Sequence, residues 1–170
     1  MKKLLLSLFL SLLTLTMSAQ IQRKFLGNTL GVSTYAQVKE NMAQKGYRMA
    51  EASDNECALF ENVKFAGYDC KSAYFYFYNN RLKTVSFVLD QSFQKESFNS
   101  EIEVIRNKLI DKYALYIYKN DDYEINFTDD ITVVAVGCPS LDDYNLYMLS
   151  LTYMDCKLMR ESNNSNNDEL

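Results

Sequence analysis

Histidine is absent from this 170-residue chain, and so is tryptophan; it has one proline, and its five glycines stand apart from one another. Without histidine the chain lacks the usual general base, the Ser-His-Asp and Cys-His nucleophile pairs, and the commonest transition-metal ligand. A cysteine nucleophile would lack its customary activating partner. Scattered glycines form no Gly-x-Gly-x-x-Gly or Gly-Lys-Ser string, so no phosphate-cradling loop is legible. Neither a cofactor nor a metal is expected. Asp122, Glu124 and Asn126 have the spacing of the first three ligands of a calcium loop. The loop then needs Gly and Glu where this chain has Phe127 and Val133, and the motif fails.

What the sequence does contain begins with an export signal. Lys2 and Lys3 form a positive n-region, Leu4 to Thr16 an uncharged apolar run, and Ser18-Ala19-Gln20 a small-residue junction. Residues 1–19 therefore read as a cleavable signal peptide, since a membrane-spanning helix needs ~20 apolar residues. No cysteine lies near the cut, so no lipid anchor is expected and the protein is placed in the periplasm or outside the cell. Cleavage removes two lysines from a chain of net charge −4. An acidic domain without a basic stripe argues against nucleic acid and anionic membrane surfaces as partners. In an exported chain, Cys57, Cys70, Cys138 and Cys156 permit one or two disulfides, with the pairing open.

The mature part reads as one α+β domain over residues 20–160, with a disordered polar tail at 161–170. Within it, residues 25–90 and 92–158 have the same order, a helix followed by three strands. Thr34 and Gln37 form a capping-box pair, Tyr35, Val38 and Met42 share a helix face, and Gly46 supplies a stop. Strands follow near 58–65, 70–78 and 82–89. A three-residue loop, Asn79-Asn80-Arg81, would place Phe75 opposite Val85 and Ala73 opposite Phe87. Phe75, Phe77, Val85, Phe87 and Leu89 would then share one face, and Tyr74, Tyr76, Tyr78, Thr84 and Ser86 the other. A second helix, capped by Ser100 with Glu103 or starting at Ser97, carries Phe98, Ile102, Ile105 and Leu109. Tyr113, Tyr116 and Tyr118 at its end read as core. Strands near 123–128, 131–138 and 144–156 complete an antiparallel sheet covered on one face by helices.

This order resembles the tandem helix-plus-sheet layout of the beta-lactamase-inhibitor-protein and SmpA/OmlA-like superfamily. Leu30-Gly31-Val32-Ser33 ahead of a helix with Val38 facing the core carries that likeness. Val63-Lys64-Phe65-Ala66-Gly67-Tyr68 before a strand pair resembles small exported proteins of Bacteroidetes-type bacteria. The resemblance implies an α+β fold working in the envelope, although the superfamily's lipoproteins carry an anchor cysteine that is missing here.

Tyr74, Tyr76 and Tyr78, with Tyr68 just before them, make the leading candidate surface, because tyrosine joins an apolar ring to a polar tip and suits protein or glycan contacts. The expectation is a non-catalytic exported module that binds a protein or cell-envelope component through this strand. An envelope accessory or structural protein with packed tyrosines is the alternative. A small hydrolase using paired carboxylates is a more remote one, because no pair stands out among the turn carboxylates.

Overall fold

The computed structural model describes residues 20–120, 124–141 and 146–167. The signal peptide assigned to 1–19 lies outside these residues, as do Asp122, Tyr123 and Tyr144. The chain enters with Ile21 and Phe25 buried, through a small ladder of β1 (Lys24–Phe25) and β2 (Asn28–Thr29). Helix α1 (Tyr35–Gln44) then starts as the sequence predicts. The Thr34 side chain accepts from the Gln37 N–H, and the Gln37 side chain accepts from the Thr34 N–H. Val38 and Met42 are its buried residues, and Gly46 takes a positive φ of 84° just past its end.

Strands β3 (Cys57–Phe65), β4 (Tyr68–Tyr78) and β5 (Arg81–Ser92) form an antiparallel meander. Phe75 faces Val85 and Ala73 faces Phe87, the register required by the hydrophobic pattern. The connection differs from the expected three-residue loop. Tyr78 pairs with Arg81 across a two-residue turn in which Asn79 and Asn80 have φ of 47° and 56°. A two-residue turn alone would set core residues against surface residues. A bulge between the Tyr76 and Phe77 pairs leaves Lys83 unmatched, and this single extra residue restores the faces. It also turns Leu82 into the core, fully buried opposite Phe77.

A 3-10 turn (Lys95–Phe98) leads into α2 (Asn99–Tyr113), which buries Ile102, Ile105, Leu109 and Tyr113. Neither Ser97 nor Ser100 caps this helix. Ser97 donates to the Gln94 carbonyl, and the preceding turn supplies the entry instead. After a second 3-10 turn (Ala114–Tyr116) come β6 (Ile117–Asn120), β7 (Glu124–Thr128), β8 (Thr132–Gly137), β9 (Ser140–Leu141) and β10 (Leu146–Asp155). Of the tyrosines expected in the core here, Tyr113 is buried, Tyr116 is half-buried and Tyr118 is exposed on β6.

The main sheet is antiparallel throughout, in the order β3-β4-β5-β10-β8-β7-β6, with β9 paired to β10. One face carries the core. Phe65 and Phe87 stack with ring centroids 3.8 Å apart, Phe25 lies 4.4 Å from Tyr153, and the buried residues of α1 and α2 join the same cluster.

The chain does not become a disordered tail after 160. Helix α3 (Cys156–Asn167) runs through most of that segment. Asp155 caps it by accepting the Leu158 N–H, and Leu158 is buried. Met159 and Ser162 meet Thr84 and Lys83, while Glu161 pairs with Arg81. Apolar content is low after Leu158, but the contacts to β5 hold the helix down. Because Thr84 stands opposite Tyr76, α3 touches the sheet face that points away from the core cluster. The helices are therefore not confined to one face.

Candidate functional site

Alternation along β4 places Tyr74 and Tyr76 on the face opposite Phe75 and Phe77. Their rings are nearly parallel, 7° between planes and 5.9 Å between centroids. Tyr76 is 38% exposed and Tyr74 is half-buried. The ladders extend this face across the sheet. One row runs Tyr76, Thr84, Met154, Val133; the next runs Tyr74, Ser86, Thr152, Ala135. The Ser86 and Thr152 hydroxyls are 2.8 Å apart and hydrogen-bonded to each other. A third row, Ser72, Val88, Ser150, Gly137, is buried. None of these twelve central positions holds a charged side chain; the charges stand on the outer strands, with Glu61 of β3 opposite Ser72, Glu124 of β7 opposite Gly137 and Lys119 of β6 opposite Asn126.

Two buried polar atoms of this face, Ser72 Oγ and Asn126 Oδ1, have no hydrogen-bond partner. The Asn126 amide nitrogen, by contrast, donates to Glu124 Oε1. Buried polar groups are normally satisfied, so these two are exceptions in the packing of the sheet. The Tyr76 phenol is pushed up to about 12, first by burial and then by the neighbouring Cys57, Tyr74 and Asp54. It stays a neutral hydroxyl, able to donate and accept, across the physiological range.

Of the other two predicted tyrosines, Tyr78 continues the alternation at the end of β4 and Tyr68 does not. Tyr78 lies at the turn, on the wall of a polar cleft of about 480 Å³ shared with Glu56, Asn80, Lys83 and Ser162. Tyr68 packs on the α2 side. Its hydroxyl accepts from Lys108 Nζ at 2.9 Å, and that ammonium lies 5.0 Å from its ring centroid. Tyr68 is therefore not part of the row. Side-chain alternation is interrupted between Tyr68 and Tyr74: Ser72 and Ala73 are both buried, and Asn62 across the ladder takes φ 53°.

The four cysteines are free thiols, which corrects the disulfide expectation. The register supplies the reason. Cys57 and Cys156 lie toward one end of the sheet, on or next to β3 and β10, three strand spacings apart. Cys70 and Cys138 lie toward the other end, on or next to β4 and β8, again three spacings apart. At about 4.8 Å per spacing, each separation is about 14 Å, twice what a disulfide can bridge. The pairs on adjacent strands, Cys57 with Cys70 and Cys138 with Cys156, are offset along the ladders by ~20 Å or more. Burial pushes the Cys57 and Cys70 thiols up to about 11.

One polar cluster was not legible in the sequence. Arg23 donates to Asp155 Oδ2, Thr132 Oγ1 and the carbonyls of Leu30 and Ile131. Gly31 lies against this pair. A Cβ there would sit 2.6 Å from Asp155 Oδ2. The signal that could have found it is a lone arginine just ahead of the first strand, with no acidic neighbour in the flanking sequence.

Comparison with family models, curated proteins and solved structures finds nothing that matches this chain.

Proposed function

We propose that the protein is an exported, non-catalytic binding module that holds a protein or cell-envelope component against the sheet face carrying Tyr74 and Tyr76. The observation that carries this reading is the stacked tyrosine pair on a face whose central strands present hydroxyls and no charge, the charged Glu61, Glu124 and Lys119 standing on its outer strands. Aromatic rings with polar tips give large contact area at low entropic cost, and a centre without charge avoids the desolvation that a buried ion would impose.

Residues 1–19 act in this proposal as the cleaved leader, and the domain works in the periplasm or outside the cell without a lipid anchor. The chain is read as two helix-plus-strands repeats in the manner of the beta-lactamase-inhibitor-protein and SmpA/OmlA-like layout. The sheet order supports that reading: β5 and β10, the last strands of the two halves, are neighbours at its centre.

The test is capture of envelope extracts on the immobilised mature protein. Replacing Tyr74 and Tyr76 with Ala should abolish capture while leaving circular dichroism unchanged. Unfolding of that variant would mean that the tyrosines are packing residues. The accessory or structural reading, which the half-burial of Tyr74 favours, would then stand in place of the binding one.

A further inference from the structure

A cleft of about 270 Å³ opens on another part of the surface, between the loop after β2, the β4–β5 turn, the β7–β8 turn and the start of α3. Four cations line it: Arg23, Arg81, Lys157 and Arg160. Arg23 is neutralised by Asp155 at 2.5 Å. Arg81 and Lys157 share a single carboxylate, Glu161, at 3.2 Å and 3.8 Å. Arg160 donates its Nε to the Cys156 carbonyl and has no carboxylate within ion-pair distance among the described residues. The one other carboxylate on the wall, Asp130, is exposed on its turn. With Asp155, Glu161 and Asp130 set against the four cations, the concavity keeps one net positive charge in an otherwise acidic chain.

The placement costs stability. Lys157 stands in the first turn of α3 and Arg160 one turn on, and the one carboxylate at this helix end, the Asp155 cap, is already engaged by Arg23. A cation in the first turn opposes the helix dipole, and Lys157 and Arg160, three apart, repel each other, while Glu161 offsets Lys157 and Arg81 together with a single charge. Arg81 and Arg23 have structural pairs here, but Arg160 has no carboxylate of its own among the described residues, and local rules are commonly broken at functional sites. An oxyanion would relieve this repulsion. Two guanidinium forks and an ammonium converging from two elements suit a group with three oxygens better than a two-oxygen carboxylate.

We propose that this cleft binds a phosphoryl group. Arg81, Lys157 and Arg160 hold the oxygens, and the Arg23–Asp155 pair forms the fixed wall behind them. Val32 and Ile131, 68% and 51% exposed at the mouth, would face the organic remainder of a phosphomonoester or phospholipid headgroup. The site is separate from the tyrosine face, so either proposal can fail without the other.

The test uses protein purified from cells expressing the full chain, titrated with inorganic phosphate against chloride at matched ionic strength. A ligand that binds only the folded state raises the melting temperature with the logarithm of its concentration. At ten times Kd the rise is roughly 3–6 °C for a chain of this size. The expected result is such a rise for phosphate and none for chloride. It should be lost in K157Q/R160Q and enlarged in D130N. Amide shift changes at Gly31 and Lys157 in the unaltered protein give a second readout should the double variant fold poorly. Glycerol phosphate against vesicles containing phosphatidic acid then separates a soluble source from a lipid one. Equal responses to phosphate and chloride, or unmoved Gly31 and Lys157 amides, would overturn the proposal.

Discussion

The guanidinium of Arg23 lies 2.5 Å from the carboxylate of Asp155, across 132 positions of sequence. Arg23 also donates to Leu30, Ile131 and Thr132, and Asp155 also caps α3. This one pair therefore joins the segment before β1, the β7–β8 turn and the last helix. Their side chains are 22% and 8% exposed. Breaking a well-buried pair from one side costs ~3–5 kcal/mol, and partial exposure of the arginine lowers that. Arg23→Gln should cost about 2–4 kcal/mol in urea unfolding, and Asp155→Ala somewhat more because the cap goes too. A change below about 0.5 kcal/mol for Arg23→Gln would show that the pair contributes nothing net.

Gly31 makes room for that pair. Its φ is 75°, and an added Cβ would approach Asp155 Oδ2 to 2.6 Å and Arg23 Nη2 to 3.1 Å. Gly46 and Gly67 have comparable φ, 84° and 85°, but a Cβ at either meets nothing within 4 Å. All three Ala variants carry the left-handed backbone cost of about 1–2 kcal/mol. Only Gly31→Ala should add a steric cost, making it the least stable of the three by at least about 1 kcal/mol. Equal losses would mean that the neighbours yield freely.

The contrast between these glycines and the strands shows where sequence reasoning held. Alternation of Phe75, Phe77, Val85 and Phe87 with tyrosines set the β4–β5 register, because a slip by one residue would expose the whole apolar set. The capping box of α1 was legible because Thr34 and Gln37 are three apart and bond locally. What stayed hidden depends on contacts distant in sequence. The bulge at Lys83 follows from the turn and the register taken together, and the order of α3 comes from Met159 and Ser162 meeting β5. Of the candidate site, the Tyr74–Tyr76 pair followed from period two. The interruption in β4 that sends Tyr68 to the α2 side did not, since Ser72 and Ala73 carry no pattern that announces it.

The turn itself makes a prediction. Asn79 and Asn80 occupy left-handed backbone, and Asn80 Oδ1 accepts the N–H of Tyr35 at 3.1 Å, tying the hairpin to the start of α1. Asn80→Ala should lose both the conformational tolerance of asparagine and this bond, costing about 1–2 kcal/mol. Asn80→Gly keeps the backbone and loses only the bond, so it should fall between Asn80→Ala and the unaltered protein. Asn79→Gly, with no such bond, should be neutral or slightly stabilising. If Asn80→Gly proved as stable as the unaltered chain, the link to α1 would be of no consequence.

The thiols connect packing to pH. Cys57 and Cys70 are each raised from the ordinary 9.0 to about 11, chiefly by burial. At pH 8 each should therefore react with iodoacetamide about a hundredfold more slowly than an exposed cysteine, since only the thiolate attacks. The same shift has a stability consequence of fixed sign. Above pH 9 the unfolded chain releases these protons while the folded chain keeps them until about pH 11. Hydroxide thus favours the unfolded state, and the stabilisation present below pH 9 is lost as pH rises through that window. Urea midpoints measured from pH 8 to 11 should fall, and the fall should be shallower in Cys57→Ala/Cys70→Ala when each protein is referred to its own value at pH 8. Dithiothreitol should leave the midpoint at pH 8 unchanged, because no disulfide links the strands. A drop on reduction would show that the thiols pair after all, and would require the β3–β4 and β8–β10 ladders to be rearranged.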